Sequence, residues 1–355
     1  MRILTIGNSK SVEILTNFLS ENEDFLVFTT LENTNANPVN IHPENIEELK
    51  DFAIANEINL TIAAGNILPD VDYLTAFGES NLAILTPDRE ALKIASSKSF
   101  GKKFIYKNKI KTPKFAFFEK SNLAIEYIKT AEFPLVIKPD GHSETESAYI
   151  AETFSQAKKQ IEKLFQRGNS KVLIEEYIYG KEVSVYVLSD GFNPIIAGVT
   201  ANFQNEISLL NPSFIDKSLE EKIYNEIIFP TISNLAREEN EYTGILGFDI
   251  IITQTKEVCL IEYNSFFKDI DCEIILKGTD ENWVKLFMDT IVGTLQDNFE
   301  SPFSIKKNDE YFGAFMLQNN IISDSARTLG SLKNKLVTEG LSEKLLQEAE
   351  KLWRL

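Results

Sequence analysis

The chain has 355 residues, with 53 acidic and 36 basic side chains and a formal net charge of -17. Its length is enough for about two or three compact units, each with its own core. A hydrophobic content of 43% with 25% charged residues is typical of a soluble globular protein. The negative field repels phosphate backbones and anionic lipid, which argues against nucleic acid or a membrane surface as the partner.

The cysteine and histidine content limits the chemistry. Cys259 and Cys272 are the only cysteines, and the first lies in the apolar run VCLIEY, which predicts buried, reduced thiols and a cytoplasmic protein. The N-terminal apolar stretch is too short for a signal peptide, and no run of about 18 apolar residues could span a bilayer. With His42 and His142 as the only histidines, a metal would need oxygen ligands, which points to Mg²⁺ or Mn²⁺.

Residues 1–95 alternate short apolar segments with amphipathic ones, in the order RILTIG, SVEILTNFLS, DFLVFTT, NIEELKDFAIANE, NLTIAAG and LAILTP. This alternation predicts a Rossmann-like domain with a parallel, doubly wound sheet. A nicotinamide-binding domain is the alternative, because the first strand ends at Gly7. However, IGNSKS lacks the second and third glycines of the dinucleotide fingerprint, which favours a Rossmann-like unit without a dinucleotide.

Three further regions follow along the chain. Residues 96–180 begin with a lysine-rich helix that stops before Pro113 and continue as a compact α+β block. Strands dominate residues 181–295, interrupted by one helix over 217–239, and residues 296–355 form a short C-terminal region. That region contains a candidate strand YFGAFML and an amphipathic helix LSEKLLQEAEKLWRL. Four apolar residues share one face of this helix: Leu341, Leu345, Ala349 and Leu352.

Lysines are placed where they could bind phosphate. Lys138 ends an apolar strand just before a tight turn, where its ammonium could neutralise phosphate oxygens. Lys98 lies on the lysine-rich helix together with Lys102 and Lys103, and lysines of such a helix are usually solvated. Of these, Lys138 is therefore the residue hardest to explain without a ligand.

Oxygen ligands recur on two neighbouring strands. Glu262 and Asn264 are two residues apart in LIEYN and therefore face the same side of a strand. Asp249 would face them if the TQTKE turn folds the two strands into a hairpin. A solvated face is the alternative, but the flanking residues are apolar, and burying acidic groups is costly without a cation. The pattern therefore favours a metal site.

The order of these elements resembles the ATP-grasp superfamily and, within it, phosphoribosylamine–glycine ligase of purine synthesis. The resemblance covers about residues 1–295 and rests on five segments, SSKSFGKKFIYKNKIKTP, FPLVIKPDG, VLIEEYIYGKEVS, IIFPTISNLAREENEYTGIL and LIEYN. It implies an α/β protein with the ATP-grasp fold. The implied domains are a Rossmann-like N-terminal domain (1–95), an α+β lid (96–180), a core with the metal site (181–295) and a short C-terminal α+β extension (296–355).

The resemblance also implies an activity and a role for each matching residue. The activity is that of an ATP-dependent carboxylate–amine ligase, in which a substrate carboxylate attacks the γ-phosphate and an amine captures the acyl phosphate. Lys98 and Lys138 would bind the α- and β-phosphates. The other implied roles are the adenine hinge at Glu175, Glu176, Tyr177 and Ile178, the ribose carboxylate at Glu182, and the Mg²⁺ or Mn²⁺ ligands Asp249, Glu262 and Asn264. The partners would be a small-molecule carboxylate and amine, bound by a monomer or homodimer.

The substrate half departs from the family. After LIEYN the family continues with Arg-Phe-Gly-Asp-Pro-Glu, whereas this chain has SFFKDIDCE, with Phe266 in place of the arginine and Asp269 retained. Lys268 could supply a cation nearby, although an ammonium lacks the planar, bidentate grip of a guanidinium. We therefore assign Lys138, Lys268 and Asp269 to the catalytic group.

The segment after Lys138 is acidic where a phosphate loop usually has glycines. Glu144 and Glu146 bring like charge towards a triphosphate within loop 142–147, which predicts weaker ATP binding or slower chemistry. The family's N-terminal glycine-rich turn is also replaced, by GNSKSVE. The sequence therefore leaves three functions open: the purine ligase, a ligase for another acid–amine pair, and a catalytically reduced paralogue that binds nucleotide in a regulatory or structural role.

Overall fold

The computed structural model of the chain describes residues 1–65, 70–140, 148–203, 206–298, 301–303, 310–317 and 320–354. The strands in these residues form three sheets, of five, four and seven strands. Both cysteines are buried and free, as the sequence predicts. Within the described ranges, no helix combines the length and the apolar character that a membrane span requires.

The first sheet is parallel and built from short strands close to the N-terminus. Its strands are β1 (Arg2–Ile6), β2 (Leu26–Thr29), β3 (Asn37–Pro38), β4 (Leu60–Ala63) and β5 (Ile84–Leu85). They lie in the order β3-β2-β1-β4-β5. The helices of this region are α1 (Lys10–Ser20), α2 (Ile46–Ala55), α3 (Tyr73–Gly78) and α4 (Arg89–Ser96). The predicted Rossmann-like arrangement is confirmed.

The turn between β1 and α1 shows what its glycine does. A Cβ on Gly7 would lie 2.5 Å from the Ala64 carbonyl oxygen, so the close approach of the segment after β4 requires glycine here. The Ser9 hydroxyl then caps α1 by accepting from the Val12 amide (3.4 Å). Packing between neighbouring segments therefore explains Gly7 without a dinucleotide.

The second sheet is antiparallel and follows α5 (Lys98–Lys107). Its strands are β6 (Phe115–Phe118), β7 (Leu135–Pro139), β8 (Tyr149–Ala151) and β9 (Val172–Glu176), in the order β6-β9-β7-β8. Helices α6 (Ser121–Ile128) and α7 (Phe154–Gln166) cover it and share its core. Because β7 and β9 are neighbours, Lys138 and Glu175 project from adjacent strands.

The third sheet is antiparallel and reaches into the C-terminal region. Its strands are β10 (Lys181–Asp190), β11 (Pro194–Phe203), β12 (Ile207–Leu210), β13 (Thr243–Ile252), β14 (Val258–Asn264), β15 (Tyr311–Leu317) and β16 (Asn320–Ala326). They lie in the order β14-β13-β10-β11-β12-β15-β16. The predicted strand YFGAFML is confirmed as β15. It pairs with β12, so the C-terminal region extends the same sheet.

Helices pack on both faces of the third sheet. The segment predicted as one helix over 217–239 consists of α8 (Lys217–Ile223), a π-helical turn (Tyr224–Ile228) and α9 (Phe229–Arg237). The later helices are α10 (Asp269–Gly278), α11 (Trp283–Val292), α12 (Leu295–Asn298), α13 (Leu329–Thr338) and α14 (Glu343–Arg354). Helix α10 also packs against α1, which joins the first domain to the core.

The C-terminal helices have a small core of their own. Leu341 and Ala349 are buried and Leu345 is partly buried in one apolar cluster with residues of β12 and β15. The predicted apolar face is therefore confirmed for these three residues. The side chain of Leu352 lies outside the described part of the structure.

Candidate active site

Lys138 is held between two carboxylates where the second and third sheets meet. Its Nζ lies 3.2 Å from Glu175 Oε2 and 3.2 Å from Glu262 Oε2, and the residue is only 5% exposed. Burial acts to lower the pKa of Lys138, but the charges of Glu262 and Glu175 outweigh it and raise the pKa above its usual value. The ammonium is therefore charged in the folded protein.

Glu175 joins Lys138 to a second buried lysine, Lys102 on α5. Lys102 Nζ lies 2.5 Å from Glu175 Oε1, donates to Thr112 Oγ1 (2.8 Å) and lies 5.6 Å from the centre of the Phe115 ring. Burial lowers the pKa of Lys102, although Glu175 opposes that shift. The carboxylate of Glu175, 2% exposed, thus divides its two oxygens between two ammonium groups.

The placement of Lys102 corrects the sequence analysis. Grouping it with solvated lysines is wrong, because Lys102 is buried, whereas Lys103 is exposed. The available signal was helical spacing, since Lys98 and Lys102 are four residues apart and share one face of α5. That face also carries Gly101, where a Cβ would lie 2.5 Å from the Ile94 carbonyl oxygen, so α5 packs closely against α4.

The predicted hairpin that brings Asp249 and Glu262 together is confirmed. Strands β13 and β14 are antiparallel neighbours that place Asp249 opposite Glu262, and Asn264 Nδ2 donates to Asp249 Oδ2 (3.0 Å). Burial favours the neutral form of Glu262, but the positive charges of Lys138, Lys98 and Lys268 lower its pKa to about 2. Asp249 is buried, so the alternative of a solvated face is wrong for this residue.

Lys268 contributes another cation to the same hairpin. Its Nζ lies 2.8 Å from Asp249 Oδ1, and its backbone amide donates to the Tyr186 hydroxyl (3.2 Å). Burial opposes the charge of Lys268, but Asp249 and Glu182 outweigh burial and raise its pKa. Glu182 itself lies at the start of β10, where desolvation raises its pKa although the charge of Lys268 opposes that shift.

A buried polar network lies beneath Lys268, and the sequence analysis missed it. The Tyr186 hydroxyl donates to Asp271 Oδ2 (2.7 Å), and the Ser208 hydroxyl donates to Asp271 Oδ1 (2.6 Å). Burial raises the pKa of Asp271, against the effect of Lys268. The sequence did contain one indication of this network. Ser184 and Tyr186 are two residues apart on β10, so their polar side chains face the same side of the strand.

Lys98 lines a cavity of about 160 Å³ at the junction of α5, β9 and β14. Its lining includes Lys98, Lys102, Leu173, Glu262 and Asn264, so two of the predicted metal ligands share a cavity with a predicted phosphate lysine. The geometry combines charged groups with an apolar floor, as ligand sites commonly do.

The predicted adenine hinge occupies the end of β9 and the connection to β10. Glu176 is tied to the neighbouring strand, because its Oε1 accepts from the Lys114 amide (2.9 Å). The rings of Tyr177 and Tyr179 pack edge to face, 4.8 Å apart. Ile178, between them, is partly buried.

Asp269 is separated from the charges around Lys138. It is the first residue of α10, and the charged side chains with the largest effect on its pKa are Lys10 and Glu13 on α1. Burial raises the pKa of Asp269. Of the three residues assigned to catalysis, Asp269 alone therefore faces the N-terminal domain.

Phe266 is a core residue. It is 8% exposed and packs against Phe267 with ring centres 5.2 Å apart. At the position where the family carries an arginine, this chain therefore has an apolar side chain and no positive charge. The acidic loop 142–147 lies outside the described residues, so the prediction of weaker ATP binding stays a prediction.

Comparisons with known proteins agree with this arrangement. The family model described as phosphoribosylglycinamide synthetase, ATP-grasp (A) domain, matches residues 96–207 and 206–272. The phosphoribosylamine–glycine ligase of Clostridium acetobutylicum is 31% identical over 289 residues, covering 76% of this chain and 68% of that protein. The chain belongs to the phosphoribosylamine–glycine ligase family. Its relatives are ATP-dependent ligases that form carbon–nitrogen bonds, so the predicted family and enzyme class are confirmed.

Solved structures of relatives show the same fold. The phosphoribosylamine–glycine ligase of Thermotoga maritima superposes with a TM-score of 0.75 at 16% identity, covering 95% of this chain and 96% of that one. The biotin carboxylase domain of the Hydrogenobacter thermophilus 2-oxoglutarate carboxylase, solved with MgADP and bicarbonate, superposes with a TM-score of 0.67 at 14% identity, covering 88% and 74%. The predicted ATP-grasp fold is therefore confirmed.

The match to the phosphoribosylamine–glycine ligase family is partial in length. The chain spans about two thirds of the length of the curated relatives that it matches. The matched part includes every residue with a predicted role in nucleotide or metal binding, since all of them lie within residues 96–272.

Proposed function

We propose that this chain is an ATP- and Mg²⁺-dependent ligase that joins a carboxylate to an amine through an acyl phosphate, with glycine and phosphoribosylamine as the first pair to test. The observation that carries the proposal is the chain of alternating charges Lys102, Glu175, Lys138 and Glu262. Burying Lys102, Glu175 and Lys138 is costly unless each charge is paired, and a site for a charged ligand gives a reason to keep them.

The residues assigned to nucleotide binding would contact different parts of the nucleotide. Lys98 and Lys138 flank Glu262 and would neutralise phosphate oxygens. Because the Glu175 carboxylate is engaged by two lysines, we assign adenine recognition to the main chain of residues 176–178 rather than to this side chain. Glu182 would hydrogen-bond the ribose hydroxyls.

The residues of the β13–β14 hairpin fit a magnesium ion that arrives with a nucleotide. Among the described residues, no group of three or more His, Cys, Asp or Glu side chains could hold a metal alone. Mg²⁺ in nucleotide sites is commonly held by one or two carboxylates together with substrate phosphates. Glu262 and the amide oxygen of Asn264 supply such a partial set, and the ion would reduce the negative charge that opposes attack on the γ-phosphate.

One observation favours a second candidate, a ligase for another acid–amine pair. Phe266 is buried where the family resemblance places an arginine, so the substrate half offers less positive charge to an anionic substrate. A catalytically reduced paralogue remains the further alternative. The buried thiols Cys259 and Cys272 support a reducing compartment, and we propose the cytoplasm for that reason.

The test is ADP release by the purified chain with Mg·ATP, glycine and freshly generated phosphoribosylamine, and with each substrate omitted in turn. Release that needs both substrates supports the purine ligase. Release with a different acid and amine, but not with this pair, supports the second candidate. If the protein binds ATP and no acid–amine pair releases ADP, the ligase proposal is wrong.

A further inference from the structure

Both carboxylate oxygens of Asp249 already have partners within the protein. Oδ1 accepts from the Ser184 hydroxyl (2.7 Å) and pairs with Lys268 Nζ (2.8 Å), and Oδ2 accepts from Asn264 Nδ2 (3.0 Å). The side chain is 5% exposed, so water does not compete strongly for either oxygen. The carboxylate that the sequence assigns to the metal is therefore already neutralised by a group of the protein.

Lys268 is held in place from the other side by buried groups. Its amide donates to the Tyr186 hydroxyl, which in turn donates to Asp271 in the first turn of α10. The Ser208 hydroxyl also donates to Asp271, and Tyr186 and Asp271 are both buried. The residue before α10 is thus fixed by a network that has no exposed member, and its ammonium is aimed at Asp249.

Glu262 is in a different situation from Asp249. Its side chain is 31% exposed, and Oε2 pairs with Lys138 at 3.2 Å. Glu262 and Asn264 line the cavity beside Lys98, whereas Asp249 does not line it. A divalent ion entering with a nucleotide would therefore reach Glu262 and Asn264 first.

We propose that the ammonium of Lys268 occupies the cation position on Asp249, so that one divalent ion, held by Glu262 and Asn264, accompanies the bound nucleotide. A side-chain ammonium supplies one positive charge to the carboxylate while requiring no free metal. A second divalent ion at Asp249 would meet a positive charge only a few ångströms away, which opposes its binding. This inference rests on the proposed nucleotide site and specifies its cation content.

The test counts Mn²⁺ ions bound with the ATP analogue AMP-PNP, using the electron paramagnetic resonance signal of free Mn²⁺ on the full chain. We expect one ion per bound nucleotide for the wild type and for Asp249→Asn, and loss of that ion for Glu262→Gln. Lys268→Met should admit a second ion, with affinity at Asp249 rising at least about tenfold because a nearby positive charge is removed. Lys277→Met, which alters an exposed lysine of α10, is the control and should bind one ion.

The outcomes separate the inference from the proposed function. Two ions in the wild type, or loss of the ion in Asp249→Asn, would overturn the inference and leave the nucleotide site standing. Failure of the wild type to bind AMP-PNP at all would overturn the proposed function and the inference together. Lys268→Met leaves a buried carboxylate unpaired and could fail to fold, in which case the Asp249→Asn count decides the matter.

Discussion

The region around Lys138 is stabilised differently from the region around Phe266. Around Lys138, three buried charges and the partly exposed Glu262 alternate in sign, and each depends on its neighbours. Around Phe266, aromatic rings pack in the core, and Asp269 faces α1. A paired buried charge is expensive to change alone, whereas an apolar contact can be repacked. This difference is consistent with the proposal that the region around Phe266 diverged while the proposed nucleotide site around Lys138 kept its pattern.

The largest effect is expected from Lys138→Met. Removing the ammonium should lower ADP formation at least about 100-fold, because a preorganised charge at the phosphates is lost. The variant should also lose about 3–5 kcal/mol of unfolding free energy, since Glu175 and Glu262 lose a buried partner. From the sequence alone we would expect little effect on the melting temperature, and the burial of Lys138 changes that expectation.

The control for Lys138→Met is Lys114→Met, at a lysine whose side chain is 89% exposed. ADP release and chemical denaturation of both variants are the measurements. If Lys138→Met retained wild-type turnover, the proposed role of the charged residues around Lys138 in catalysis would be refuted.

Glu175→Gln should have the next largest effect, on stability. The change leaves Lys102 and Lys138 each without one carboxylate oxygen, and breaking a buried pair costs about 3–5 kcal/mol. Glu176→Gln alters the next residue, which lies at a more exposed position, and should cost less than about 0.5 kcal/mol. Urea denaturation of the two variants makes the comparison, and equal losses would show that the charge chain does not stabilise the fold.

Phe266→Arg tests whether the apolar side can accept the residue of the family. We expect a loss of about 3 kcal/mol or more and no gain in ADP release, because the site is part of a packed core. Phe192→Arg, at a side chain that is 60% exposed, is the matched control and should be nearly neutral. An active and stable Phe266→Arg enzyme would contradict the assignment of Phe266 to a packed core.

The smallest effect concerns the pH dependence of stability at Asp271. Burial raises the pKa of Asp271 above its ordinary value of 3.8, so the folded state favours the protonated form. This contribution to stability is present below the ordinary pKa and is lost as the pH rises through the raised pKa. The advantage of the wild type over Asp271→Asn should therefore fall as the pH rises from about 4 to about 7. A difference that stays constant over this range would contradict the prediction.

Local sequence patterns predicted the order of helices and strands. They did not predict features that depend on tertiary contacts. The sequence predicted the alternating segments of the N-terminal domain, the hairpin that joins Asp249 to Glu262, and strand β15. These features were predictable because strand and turn signals are short in range. The burial of Lys102 could not be predicted, because it depends on an ion pair with Glu175, which is distant in the sequence. The pairing of β15 with β12 likewise requires the folded sheet.

The central claim, a carboxylate activated by ATP, is tested most directly with glycine labelled with ¹⁸O in its carboxyl group. Phosphate released during turnover with phosphoribosylamine would be analysed by mass spectrometry. An acyl phosphate transfers one carboxyl oxygen to phosphate when the amine displaces it, so the account predicts one ¹⁸O per phosphate. Phosphate without the label, with oxygen taken from water instead, would show simple ATP hydrolysis and contradict the account.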